Sequence, residues 1–222
     1  MKGLFTLSNV LLVSALIFVA GFAAWYRGSI NPLSVEEQDY FLQQLSQQKG
    51  AVAAFLNPEE ARHFMATDDG RGFYVINAFK FNDQAQYAEA LSPALTGTEA
   101  FNKYTRQLAP IWLSAGTHPL FSSTLGRRGY SDWDFVSVVR YRSRRDYFTI
   151  QTSEAFLAAI PDRIAATKAN FRIKIAGNQM PLPILLLLII IILLAGLVAA
   201  IVALVKQTRL ARSLRPKNPK DT

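Results

Sequence analysis

Two histidines and no cysteine leave this 222-residue chain few ways to hold a metal ion or form a covalent intermediate. His63 and His118 lack the His-x-x-x-His or His-x-x-Glu-His spacing that sets imidazoles on one face, so no metal ligand is expected. Without cysteine there is no thiolate ligand, thiol nucleophile or disulfide. No Gly-x-Ser-x-Gly elbow, Ser-x-x-Lys pair or phosphate-cradling glycine loop occurs. Asp132 and Asp134 flank Trp133 and would share one face of a strand, the arrangement of an acid–base pair. The carboxylates of glycoside hydrolases, however, sit on separate elements. With Arg127, Arg128 and Arg140 close in sequence, ion pairing is the expected role of these two. Gly126-Arg127-Arg128-Gly129 could hold an anion, but it also fits a solvated hairpin tip. The remaining candidates are Asn77, His118, Ser137 and Arg140, with Lys80, polar residues that interrupt otherwise apolar runs. Asn77 and Lys80 are three positions apart, so strand alternation puts them on opposite faces. No catalytic residue and no cofactor is assigned.

The elements that would position these residues can be read from caps and periodicity. Ser34-Val35-Glu36-Glu37 is a capping box that opens a helix through Tyr40, Phe41 and Leu45. Asn57-Pro58 restarts a helix, with Asn57 as cap and Pro58 in the first turn. Asp68-Asp69-Gly70-Arg71-Gly72 marks a turn and the end of a helical arm, 27–71. From Gly72 to Phe81 aromatic and β-branched residues predict a strand. Asp83 is expected to start a short helix through Tyr87 and Leu91. Phe101, Tyr104, Leu108, Ile111 and Trp112 recur at helical spacing. His118–Gly126 and Trp133–Arg142 predict two further strands, and Ser143 caps a helix through Tyr147, Phe148 and Ile150. Glu154–Ile160 follows, Pro161 is expected to begin a last short helix, and Asn170–Ile175 alternates as a strand. The order is β-α-β-β-α-β, the split-βαβ plan of a mixed α+β domain.

Two apolar blocks bracket this domain. Ile184–Val205 has no polar side chain and exceeds the roughly 20 residues that a bilayer core requires. Leu4–Ala24 is also apolar and ends at Trp25 and Tyr26, aromatics suited to a membrane interface. It competes with a cleaved signal peptide ending near Gly21-Phe22-Ala23, but it is longer than the usual apolar core of about 7–15 residues. Six basic residues follow the second block, from Lys206 to Lys220. By the positive-inside rule the tail 206–222 and residues 1–3 lie in the cytoplasm, with segments 4–26 and 182–205 as transmembrane helices. The domain 72–179 then faces the periplasm or exterior of a bacterial cell. Gly196 with Ala195, Ala199, Ala200 and Ala203 gives the second span a small-residue face suited to helix pairing.

The net charge of +8 is not a nucleic-acid footprint. Arg27–Gln179 holds 17 basic and 15 acidic residues, while the tail carries most of the excess. That placement reads as topology and contact with anionic lipid; nucleic acid is not an expected partner.

Several stretches resemble a known family. These are Tyr74-Val75-Ile76-Asn77-Ala78-Phe79-Lys80-Phe81 with Tyr87-Ala88-Glu89, Asp132-Trp133-Asp134-Phe135-Val136-Ser137-Val138-Val139-Arg140-Tyr141-Arg142-Ser143, and Glu154-Ala155-Phe156 through Pro161-Asp162-Arg163-Ile164-Ala165-Ala166. Together they are similar, over about residues 72–176, to the dimeric α/β-barrel superfamily in its branch called domain of unknown function 1330. The resemblance implies a ferredoxin-like module that pairs face to face as a homodimer around a small cavity. Asn77, His118, Ser137 and Arg140 would then line the concave sheet face, with a small molecule as a possible ligand. The chain departs from that pattern in its apolar segments, its arm, and a longer helical region around Thr96–Trp112. The expected function is a membrane-anchored binding or assembly module. The alternative is a small-molecule enzyme of the cofactor-independent oxygenase or isomerase type.

Overall fold

The structure is a computed structural model, and it describes residues 7–88, 94–125, 132–177 and 181–213. The chain divides into two compact units, Arg27–Gln179 and the pair of terminal segments Met1–Tyr26 and Met180–Thr222. The terminal unit holds α1 (Leu7–Arg27) and α8 (Leu182–Ser213). Within them Asn9–Arg27 and Leu182–Ala211 are long and apolar enough to cross a membrane. A Cβ built at Gly196 meets nothing within 4 Å, so the small-residue face of α8 is open.

The arm folds as three helices, α2 (Val35–Ser46), α3 (Gly50–Leu56) and α4 (Pro58–Ala66). Both expected caps are present. Ser34 and Glu37 exchange side-chain and backbone bonds, and Asn57 accepts from Glu60 N while its own backbone takes the left-handed conformation at φ 42. Gly70 sits at φ 71, and a side chain there would run into the backbone of Ile30. Only glycine tolerates that combination, which explains the turn Asp68–Gly72.

Four strands follow, β1 (Phe73–Phe81), β2 (His118–Thr124), β3 (Phe135–Tyr141) and β4 (Thr167–Ala176). They form one antiparallel sheet in the order β2-β3-β1-β4. Between them lie α5 (Gly97–Ser114), α6 (Arg144–Gln151) and α7 (Glu154–Ala166). With the central strands β1 and β3 connected through α5 and β2, and β4 returning beside β1, this is the split-βαβ plan.

The core lies on one face of the sheet. Phe73, Val75 and Phe79 of β1 pack with Phe101, Tyr104 and Leu108 of α5, Phe148 of α6 and Phe156 of α7. The arm joins the same core through Leu45 and Met65, both fully buried. Its helices are therefore part of the domain's packing, whereas the sequence is compatible with either a free arm or a packed extension.

Two expectations fail locally. No helix forms over residues 82–88, because the amides of Asn82, Ala85 and Gln86 donate to Ala166 O, Leu95 O and Ala165 O rather than to their own chain four residues back. The remainder of that expected helix, at Leu91, lies outside the described residues. Pro161 does not begin a new helix but stands inside α7. A proline removes one helical bond; here Phe156, Ala159 and Ile160 before it and Ala165 and Ala166 after it keep one face on the core and hold the helix together.

Candidate functional site

Strand register sorts the polar candidates into two pairs. Asn77 lies opposite Ser137, and His118 lies opposite Arg140. Asn77 has the parity of Val75 and Phe79, so the Asn77–Ser137 pair faces the helices, where both residues are buried. His118 and Arg140 belong to the other face. Arg140 is fully buried and its Nη1 donates to Gly116 O at 3.3 Å, while His118 Nδ1 lies 3.2 Å from Pro119 O. The four residues do not converge on the concave face, since a sheet carries alternate residues to opposite sides.

Lys80 leaves the interior as its parity requires. Its Nζ donates to Asp134 Oδ1 at 3.0 Å, and Phe81 N donates to Asp134 Oδ2 at 2.7 Å. Although partial burial pushes the Asp134 carboxyl up, the bonds from Phe81 and Lys80 hold it below the usual carboxylate range. Asp134 thus ties the end of β1 to the start of β3. The ion pairing expected of it is present, with Lys80 as a partner. Arg127, Arg128 and the turn Gly126–Gly129 lie outside the described residues. Among the described residues no group of three histidine or acidic side chains is placed to hold a metal ion.

A polar cluster that the sequence does not single out surrounds Asn77. Between the sheet and the helices a cavity of about 20 Å³ is lined by Asn77, Tyr104, Tyr141, Tyr147, Gln151, Arg163 and Arg172 among apolar neighbours. The Arg163 guanidinium stacks over Phe55 at 4.8 Å, Phe79 at 5.0 Å and Tyr104 at 5.7 Å. Its Nη2 donates to Asn170 Oδ1 at 3.0 Å. Tyr141 meets Tyr147 edge to face at 4.9 Å. Burial pushes the Tyr141 hydroxyl well above the ordinary phenol range, the neighbouring phenols of Tyr147 and Tyr104 reinforce this, and Arg163 and Arg172 oppose it. The signal available in sequence is parity and spacing: Tyr141 shares the face of Ser137, and Tyr147 and Gln151 are four apart on α6.

Asp162 forms a second buried polar node. It is 4% exposed and accepts from Tyr87 Oη at 2.6 Å and Lys103 Nζ at 2.9 Å. Burial first, and the Asp162 bond second, push the Tyr87 hydroxyl far above its ordinary range. A carboxylate satisfied by two donors joins α5, α7 and the segment after β1, which is a structural role.

The fold and these nodes define a mixed α+β domain built on a four-stranded antiparallel sheet, in a chain with two helices apolar enough to cross a membrane. No family model matches the chain, and no curated protein matches it. Among solved structures it is similar to the RPA0582 protein of unknown function from Rhodopseudomonas palustris, at 21% identity. That match covers 54% of this chain and 92% of the other, with a TM-score of 0.48. A second structure of RPA0582, in methylated form, gives a TM-score of 0.49 over 54% of this chain and 90% of that one. A dimeric protein of unknown function with a ferredoxin-like fold, from Bacteroides fragilis, matches at 10% identity over 48% of this chain and 96% of its own, with a TM-score of 0.35.

Proposed function

We propose that this chain is a two-span protein of a bacterial inner membrane that displays a ferredoxin-like module outside the cytoplasm and pairs with a second copy through the helix-free face of its sheet. Its role on this reading is binding or assembly at the membrane, with both termini cytoplasmic. The observation that carries it is the composition of that face. Ile76, Ala78, Val136 and Val138 occupy the central strands, and Phe121, Phe171, Ile173 and Ile175 flank them. Phe121 and Phe171 are 54% and 50% exposed, and Ile173 and Ile175 are 39% and 40% exposed. A sheet that faced water on this side would carry polar residues at those positions, and a contiguous apolar patch of this kind marks an interaction surface. Tethers at both ends would restrict tumbling of the module, which favours pairing side by side.

The enzyme alternative needs room for an organic substrate. On that alternative the room would lie between the paired sheets, and the apolar side chains of this face support close packing against a mate over a polar-lined cavity. The test is the mass of the detergent-solubilised chain by light scattering, with chemical cross-linking. The wild type is expected as a two-chain particle. Phe171→Glu combined with Ile173→Glu is expected as one chain with unchanged circular dichroism. A wild type that stays single at every concentration, or a double variant that stays paired, overturns the proposal.

A further inference from the structure

The helix side of the sheet gathers more positive charge than it neutralises. Arg163, Arg172 and Lys174 come together there, and Glu60 serves them, 3.7 Å from Arg172 and in direct contact with Lys174. Among the described residues no carboxylate lies within ion-pair distance of Arg163. Neutral groups hold it instead. Besides the bond to Asn170, its Nη2 reaches Asn77 Oδ1 at 3.5 Å and its Nη1 reaches the Tyr104 hydroxyl at 3.4 Å. Both are long for N–H···O bonds, so donor capacity is left over at the edge of the cavity. Arg163 is half-buried, so its charge reaches both the cavity and the surface, with aromatic rings rather than a carboxylate around it.

The cavity beside it has room for one occupant of about the size of a water molecule. Its polar lining is dominated by groups that can donate: two guanidiniums, the hydroxyls of Tyr104, Tyr141 and Tyr147, and the amides of Asn77 and Gln151. Water would satisfy hydrogen bonds there but would leave the charge excess standing.

We propose that this cavity is a binding site for a single halide-sized monovalent anion, held by Arg163 and Arg172 and by rotated tyrosine hydroxyls. Arg163 also supplies the route. On its other side it lines an open groove of about 240 Å³ with Ala51, Phe55, Lys168 and Asn170. One side chain therefore stands between solvent and the interior, and Lys168 at the groove favours an incoming anion. The site lies on the helix side of the sheet, so it is independent of the proposed pairing face.

The test uses bromide on the full-length chain in detergent, with sodium gluconate holding ionic strength constant. The unfolding midpoint is expected to rise saturably, by about 3–6 °C at tenfold excess over the dissociation constant. Crystals soaked in bromide are expected to show an anomalous peak between Arg163 and Tyr104. Asn77→Asp fixes a carboxylate at the same place with almost no change of shape, and is expected to abolish the bromide response; Arg163→Met is expected to abolish it as well. A response that never saturates, one that persists in Asn77→Asp, or a cavity without a bromide peak overturns the proposal.

Discussion

Arg145 and Glu37, 108 residues apart in the chain, meet as a two-point pair, with Nε donating to Oε1 at 2.6 Å and Nη2 to Oε2 at 2.9 Å. The same guanidinium donates to the carbonyls of Asn31 and Pro32. Next to it, Arg144 contacts Asp68 at 3.6 Å and bonds Thr67 and the Phe64 carbonyl, while Asp68 accepts from Leu33 N. Two successive arginines at the start of α6 therefore fasten the arm to the sheet domain.

This joint gives a pH dependence with a definite sign. The Arg145 bond holds the Glu37 carboxyl down at about 2, against an ordinary value of 4.5. Its stabilising contribution is complete above about pH 4.5 and disappears as pH falls towards 2. Glu37 remains a third exposed, so the contribution is roughly 1 kcal/mol rather than the full value of the shift. Glu37→Gln is expected to lower the unfolding midpoint at pH 7 and to flatten the acid limb of the stability curve, as measured by thermal unfolding between pH 2 and pH 7. An unchanged acid limb would mean that the pair contributes nothing.

At the alkaline end two half-buried phenols dominate. Tyr87 and Tyr141 both hold their protons far above the ordinary phenol value of 10. In the unfolded chain they ionise near 10, so stability is intact below that pH and declines as pH rises above it. Ultraviolet difference titration is expected to show these two hydroxyls ionising together with unfolding. The shift of Tyr141 is expected to vanish in Tyr141→Phe without loss of the fold.

The arm carries core residues, and removing one should show it. Met65 and Leu45 are completely buried and belong to the same cluster as Phe73 and Phe148. Leu45→Ala or Met65→Ala is expected to cost about 2–5 kcal/mol by chemical denaturation. If the arm were an independent spacer, the loss would be near zero and the sheet domain would unfold as before.

Membrane topology is open to a direct assay. Alkaline phosphatase fused after Gly177 is expected to be active, and fused after Lys220 to be inactive, because six basic residues follow the second apolar segment. The opposite pattern would invert the proposed orientation.

The open face of α8 allows one more prediction. Nothing within 4 Å occupies the space beside Gly196, so a neighbouring helix could approach closely there. Replacing Gly196 and Ala200 with leucine is expected to weaken self-association several-fold by energy transfer between labelled chains in vesicles. Unchanged transfer would confine pairing to the sheet.

Local signals carry much of the fold. Ser34 with Glu37, Asn57 with Pro58, and Ser143 with Asp146 each act within one helical turn, so their caps follow from sequence alone. The alternation of β1 and β4 and the apolar spacing of α5 are equally local, and they set the order of elements. Where a segment's bonds leave the segment, its sequence misleads. Residues 82–88 spend their amides on α7 and on Leu95, and Pro161 is tolerated because α7 is buried on both sides of it.

The site shows the same division. Sequence by itself determined which residue types are present: no cysteine, two isolated histidines, polar residues interrupting strands, and two apolar segments of membrane length. The two-residue period of a strand is enough to separate Asn77 from Lys80. Only the tertiary structure decided that Asn77 meets Arg163 of α7, that Arg172 of β4 faces the same cavity, and that His118 and Arg140 lie on the opposite side of the sheet. Those meetings join residues dozens of positions apart. They depend on strand order and on how helices lie across the sheet, and neither is encoded in any short stretch of the chain.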